Sequence, residues 1–207
     1  MAPAPATVPD SDTGRLEAFS DGVFAIAITL LVLDLKPSSD LAHADLSSAL
    51  MAQWPTYVSF LASFAVIGIM WLNHHHMFRL IRRSTHGVLL LNTLLLLMIT
   101  VVPFPTALVS EHIGSDGARL AAAMYTGWFV LTSLAWNARW RFAASPLRSP
   151  PVLAIPFDSP QVRLLSRSYL MGPVIYGLAF LVSLWVPVAG VALCGVVAVF
   201  FSLRPPA

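Results

Sequence analysis

The chain of 207 residues is 57% hydrophobic and only 11% charged, with a formal net charge of +2 and a mean hydropathy of +0.75. A soluble domain carries about 25% charged residues, so a water-soluble globule is excluded and an all-α polytopic membrane protein is indicated. The basic excess is not a nucleic-acid surface, since no Lys/Arg run with interleaved aromatics stands clear of the apolar segments, and the single cysteine, Cys194, excludes a disulfide framework within one chain.

Residues 1–11 are rich in Ala and Pro, lack helical periodicity and read as a disordered tail ahead of a single transmembrane domain over 12–204. Helix 1 is predicted over about 13–35, stopped by Pro37-Ser38-Ser39-Asp40. Ala42-His43-Ala44 imitates a signal-peptide cleavage site. However, the leading segment holds Asp10, Asp12, Glu17 and Asp21 against one Arg15, the reverse of a basic n-region.

Within helix 1, Phe19-Ser20-Asp21-Gly22 sets a carboxylate and a hydroxyl at the edge of a span that is otherwise apolar. An acid there is costly unless it is paired or wetted. Arg15 lies too far round the helix for an i,i+4 pair with Asp21, so the acid needs headgroup water or a partner on another helix or subunit. One face of the helix reads Gly22, Ile26, Leu30, Leu33, with Thr29 beside Ile26. Such a stripe ordinarily serves packing or lipid contact. Arranged about a symmetry axis, it would instead make rings of Ile and Leu, a constriction that gates by dewetting.

Helix 2 is predicted over about 57–78 and ends in Trp71-Leu72-Asn73-His74-His75-His76. Successive helical residues point in different directions and cannot converge on one ion, and no HExxH spacing is present, so no metal site is expected. Trp71 and His75, at i,i+4, share a face and suit a polar pair. Helix 3, about 88–109, contains Asn92, Thr93 and Thr100 and closes in Pro103-Phe104-Pro105-Thr106, the pattern of a kinked end. Helix 4 follows over about 120–140, and the proline-rich segment 146–161 reads as a loop. The uncharged stretch 169–203 would run about 52 Å as one helix, longer than a bilayer. Trp185, Pro187 and Gly190 divide it into helices of about 169–186 and 188–203, giving six in all, with a re-entrant hairpin as the alternative.

The basic residues Arg15, Arg79, Arg82, Arg83, Arg139, Arg141, Arg148, Arg163, Arg167 and Arg204 fall on one side of this layout, and Lys36 and Arg119 on the other. The positive-inside rule then places both termini in the cytoplasm. No phosphate-binding loop, nucleophile elbow or paired-carboxylate motif is present, so enzymatic chemistry has no support. Neither a carbonyl-filter motif like TVGYG nor an Arg-repeat helix occurs.

The run from Arg15 to Leu33, and above all its core Arg15-x3-Phe19-Ser20-Asp21-Gly22, resembles the first-helix signature of the potassium channel family typified by transmembrane protein 175. With one six-helix unit, the chain is similar to the prokaryotic members, which implies a multi-pass protein of the cell membrane. The resemblance implies a homotetramer in the lipid bilayer that passes potassium and other monovalent cations without a cofactor, its pore lined by helix 1 of each subunit. Ile26, Leu30 and Leu33 then occupy the hydrophobic constriction and Thr29 the position tied to selectivity. Arg15, Phe19, Ser20, Asp21 and Gly22 carry the signature, whose polar network draws on Trp71 and His75, with Asn73 and His74 as alternatives. Two other classes compete: a proton-coupled secondary transporter relaying protons through Asp21 and His75, and a non-conducting scaffold subunit. Carriers commonly show internal repeats and broken mid-membrane helices, and helices 1 to 4 show neither.

Overall fold

The computed structural model describes residues 13–35, 45–147 and 149–203, with side chains as far as Ala198. The expected 1–11 tail, the Pro37-Ser38-Ser39-Asp40 stop and the flanking cations Lys36, Arg148 and Arg204 lie outside the described residues. The described residues form helices α1 (Thr13–Leu30), α2 (Leu46–Ala52), α3 (Trp54–Leu80), α4 (His86–Val101), α5 (Pro103–His112), α6 (Ala118–Ala143), α7 (Pro160–Ser183) and α8 (Pro187–Leu203). A 3-10 turn, Leu31–Asp34, continues α1. Among the described residues, four helical stretches are long and apolar enough to cross a membrane: Thr13–Asp34, Trp54–Leu80, His86–His112 and Pro160–Ser183.

The breaks follow from proline chemistry. Pro103 has no N–H, and at the end of α4 the Val102 N–H bonds the Ile99 carbonyl at 3.1 Å instead of reaching Met98. The carbonyl of Met98 that this releases accepts from Trp128 Nε1 on α6 at 2.7 Å, so it keeps a partner despite the interruption between α4 and α5. At α7 the same residue type starts a helix. Ser159 caps it by accepting from Val162 N, and Pro160 stands in the first turn, so the helix begins at Pro160 rather than at 169. Reading every proline of 146–161 as loop hides that start.

Between α7 and α8 the chain turns at Leu184–Val186, with Trp185 exposed. Gly190 permits the close return: a Cβ there would stand 2.7 Å from the Ser183 Cα and 2.8 Å from the Ala179 carbonyl oxygen. Before α7, the loop folds back under α3, with Ala154 N donating to Leu80 O and Arg82 N to Val152 O, each at 2.9 Å, while Val152 and Leu153 are buried.

Helix α6 is the centre of the packing and contacts α4, α5, α7 and α8. Hydroxyl contacts fasten the layers, with Ser63 on α3 meeting Thr106 on α5 at 2.8 Å and Tyr125 on α6 at 3.1 Å. Helix α1 is peripheral by comparison, packing on α3 and α4. That one-sided seating determines which of its residues remain open.

Candidate functional site

Ser20, Phe24, Ala27 and Leu31 recur at i, i+4, i+7 and i+11 and are all buried, forming the stripe by which the first helix sits on α3 and α4. The opposite stripe has no partner among the described residues. Ile26 is 60% exposed, Leu33 58% and Leu30 37%, and Thr29 is exposed beside them. The change from α-helix to 3-10 turn after Leu30 matters here, because three residues per turn bring Leu33 directly above Leu30 rather than rotated away from it. The result is a straight apolar ridge. The Thr29 hydroxyl donates to the Ile26 carbonyl at 2.9 Å, leaving its oxygen as an acceptor on that ridge.

Polar ties hold the start of the helix. Trp71 Nε1 donates to Asp21 Oδ1 at 2.8 Å, and His75 Nδ1 donates to Glu17 Oε1 at 2.7 Å. The two donors sit one turn apart on α3 with their rings stacked at 6.4 Å, and the two acids sit one turn apart on α1. The pairs therefore run in register along the crossing. Deeper in, the amide of Asn92 on α4 donates to Ser20 Oγ at 2.9 Å, and its carbonyl accepts from His74 Nε2 at 3.0 Å and from the Arg139 guanidinium. Asn92, His74, Ser20 and Arg139 are all fully buried.

Arg139 corrects the charge count made from the sequence. It is not a loop cation but a core side chain of α6, with its guanidinium carbon 5.2 Å from the Phe78 and Trp136 ring centroids and its Nη2 2.9 Å from Met77 Sδ. Aromatic faces and one amide carbonyl replace water around the charge. No carboxylate bonds it among the described residues.

Of the residues singled out from the sequence, Asp21, Trp71, His75, Ser20 and the alternative His74 are brought into this assembly. Asn73 instead donates to Ile69 O on its own helix at 3.0 Å, and Arg15 makes no hydrogen bond or ion pair among the described residues. Phe19 is exposed, and a methyl added to Gly22 would meet nothing within 4 Å. Glu17 was given no partner by sequence reasoning, Arg139 was counted only among the cations of one membrane side, and Asn92 was noted only as a polar residue of helix 3. For Arg139 and Asn92 the signal was the need of a buried polar group for a partner, which spacing along one helix does not reveal. Among the described residues, no three His, Cys, Asp or Glu side chains gather as a metal site would require.

Residues 15–103 match the family model described as endosomal/lysosomal potassium channel TMEM175. The chain is 44% identical over 199 residues to a potassium channel of Chamaesiphon minutus, covering 94% of this chain and 95% of that one. It is 42% identical over 176 residues to a potassium channel of Streptomyces collinus, covering 82% and 84%. The human endosomal/lysosomal proton channel TMEM175 is 39% identical over 97 residues, 43% of this chain and 19% of that protein. Among solved structures, the crystal structure of a lysosomal potassium-selective channel TMEM175 homolog from Chamaesiphon minutus matches with a TM-score of 0.85 and 43% identity, covering 95% of this chain and 100% of that one.

Proposed function

The chain belongs to the TMEM175 family as a prokaryotic member, and from that premise we propose that it is a potassium-permeable cation channel whose pore is lined by the first helix of four identical subunits. The observation that carries the pore assignment is the ridge of Ile26, Leu30 and Leu33, left open on a helix whose other face is fixed by burial and hydrogen bonds. Around a fourfold axis such ridges enclose a narrow apolar throat. An ion crossing it must shed water without receiving ligands in return, and potassium surrenders its hydration more cheaply than sodium. Thr29 supplies the hydroxyl oxygen beside Ile26 and tunes that cost.

The polar ties have a different task. Asp21–Trp71, Glu17–His75 and Ser20–Asn92 fix the angle of α1 against α3 and α4, and so the width of the throat. The protein sits in the plasma membrane with six spans, α8 and α6 joining the four most apolar stretches, and both termini in the cytoplasm. Supporting that orientation, the Ala154–Leu80 bond draws the α3–α4 and α6–α7 connections to one end, where Arg79, Arg82, Arg83, Arg141 and Arg163 gather against Arg119 at the other.

Purified protein in a planar bilayer under a potassium gradient tests this reading. Unitary current steps reversing near the potassium potential are expected. Transport of ions without unitary steps would favour a proton-coupled carrier, and no transport at all a scaffold.

A further inference from the structure

Behind the polar assembly, on the side away from the first helix, a cavity of about 230 Å³ opens among α3, α6, α7 and α8. It is larger than the roughly 150 Å³ apolar cavity known to accept benzene in an engineered protein. Its walls are mostly apolar, yet they carry polar atoms without partners. Asn137, 7% exposed, donates to the carbonyls of Ser133 and Tyr169, and its Oδ1 accepts from no described residue. Asn73 is in the same position, its amide spent on Ile69 O. The buried Trp136 Nε1 and Tyr169 hydroxyl have no hydrogen-bond partner among the described residues.

Among the described residues, no Asp, Glu, Lys, Arg or His lines the cavity, so an ionised occupant would lose its hydration and meet no counter-charge there. Water would satisfy the amides but not the apolar wall. A molecule with one hydroxyl and a compact hydrocarbon body satisfies both, because a hydroxyl donates to an amide oxygen and accepts from an indole or phenol. Asn73 lies about 10 Å from the end of α3, a depth that in the membrane-spanning arrangement proposed above is within reach of solutes dissolved in the hydrocarbon. Met171, on the rim, is about half exposed.

We propose that this cavity binds a neutral, membrane-dissolved alcohol or phenol, and that its occupancy is felt by the first helix. The route is short. Trp136, in the cavity wall, lies 6.4 Å from the His74 ring and carries the Arg139 guanidinium at 5.2 Å. His74 and Arg139 share the Asn92 carbonyl, and the Asn92 amide holds Ser20 on the first helix. An occupant that shifts the Trp136 ring biases the seating of the candidate pore helix. The coupling half rests on the channel reading above; the binding half does not.

The test uses the full chain in liposomes with a diazirine derivative of octanol as photolabel. Adducts mapped by mass spectrometry should concentrate on Tyr169, Met171 and Met70, be displaced by 4-ethylphenol, and resist ethylbenzene, which has no donor. Gly172→Val, at a position where an added Cβ meets only Ser133 Cβ at 3.6 Å, should fill the cavity and abolish the labelling while leaving basal flux intact. Adducts scattered over lipid-facing leucines, or equal displacement by both competitors, overturn the site. The competition uses unaltered protein, so it decides for or against the site even where Gly172→Val fails to fold. Potassium flux should change by about fivefold on occupancy, the low end of ordinary coupling, and not in Gly172→Val. Displaceable labelling with unchanged flux overturns the coupling, whereas absent flux in unaltered protein counts against the channel reading and leaves the labelling result standing.

Discussion

Asn92 on α4 holds Ser20 on the first helix through a 2.9 Å hydrogen bond between two fully buried side chains, while its carbonyl carries the guanidinium of Arg139. One amide thus bonds a hydroxyl, a histidine and a cation at once. Nothing else among the described residues bonds all three.

Removing that amide should be costly. Asn92→Leu strands a buried guanidinium and a buried imidazole, and a loss of roughly 3 kcal/mol is expected, since bonds to charged groups carry about 1.5–3 kcal/mol each. Asn92→Asp keeps the acceptor and gives Arg139 a counter-charge, so it should retain most of the wild-type Tm. Thermal denaturation of the two variants in detergent checks this, and equal losses in both would contradict the role given to the carbonyl.

The Asp21 tie is more exposed and weaker. Asp21→Ala removes the acceptor of Trp71 Nε1, with an expected cost of about 1 kcal/mol within the subunit. Its larger effect is expected on assembly, because it frees the angle at which the first helix leaves α3. Chemical crosslinking should show the tetramer fraction falling while residual channels keep their selectivity. A stable tetramer with altered selectivity would move Asp21 from the brace to the conduction path.

Gly190 tests the α7–α8 turn. Gly190→Ala would drive a methyl into the Ser183 backbone and the Ala179 carbonyl, and overpacking of that kind costs about 1–3 kcal/mol. A lowered Tm is expected. The same substitution at Gly22, inside α1 and with no described atom within 4 Å of a Cβ, should not lower the Tm of the isolated subunit and should raise it slightly through helix propensity.

Much of this was legible in the sequence, and the exceptions share a cause. The division of 169–203 followed from bilayer thickness and a proline, and the chain does turn at Leu184–Val186. The distance of Asp21 round the helix from Arg15 left it needing headgroup water or a partner on another helix or subunit, and Trp71 on α3 bonds it. Arg139 was misplaced because a cation near a helix end reads as interfacial, and only the juxtaposition of α4 and α6 reveals an acceptor waiting at Asn92. Glu17 was passed over for the same reason, its partner His75 lying 58 residues away. Contacts between elements are not periodic, so patterning along one helix cannot supply them.

An axial position for the first helix has a direct geometric consequence. Leu30→Cys in a Cys194→Ala background should form intersubunit disulfides readily under mild oxidation, since only around an axis do equivalent Leu30 positions approach one another. Val196→Cys, exposed on α8, should not crosslink in the same background. Crosslinking at residue 196 but not at 30 would turn the subunit around and place the ridge against lipid.

The proposed pore makes the Ile26, Leu30 and Leu33 ridge the barrier an ion crosses. Ile26→Asn tests it most directly, by placing an amide in the throat that wets it and offers oxygen to a dehydrating ion. With potassium on one side of the bilayer and sodium on the other, the reversal potential should move toward zero as sodium permeates more freely. A reversal potential identical to that of the unaltered channel would contradict the assignment of the pore to this face.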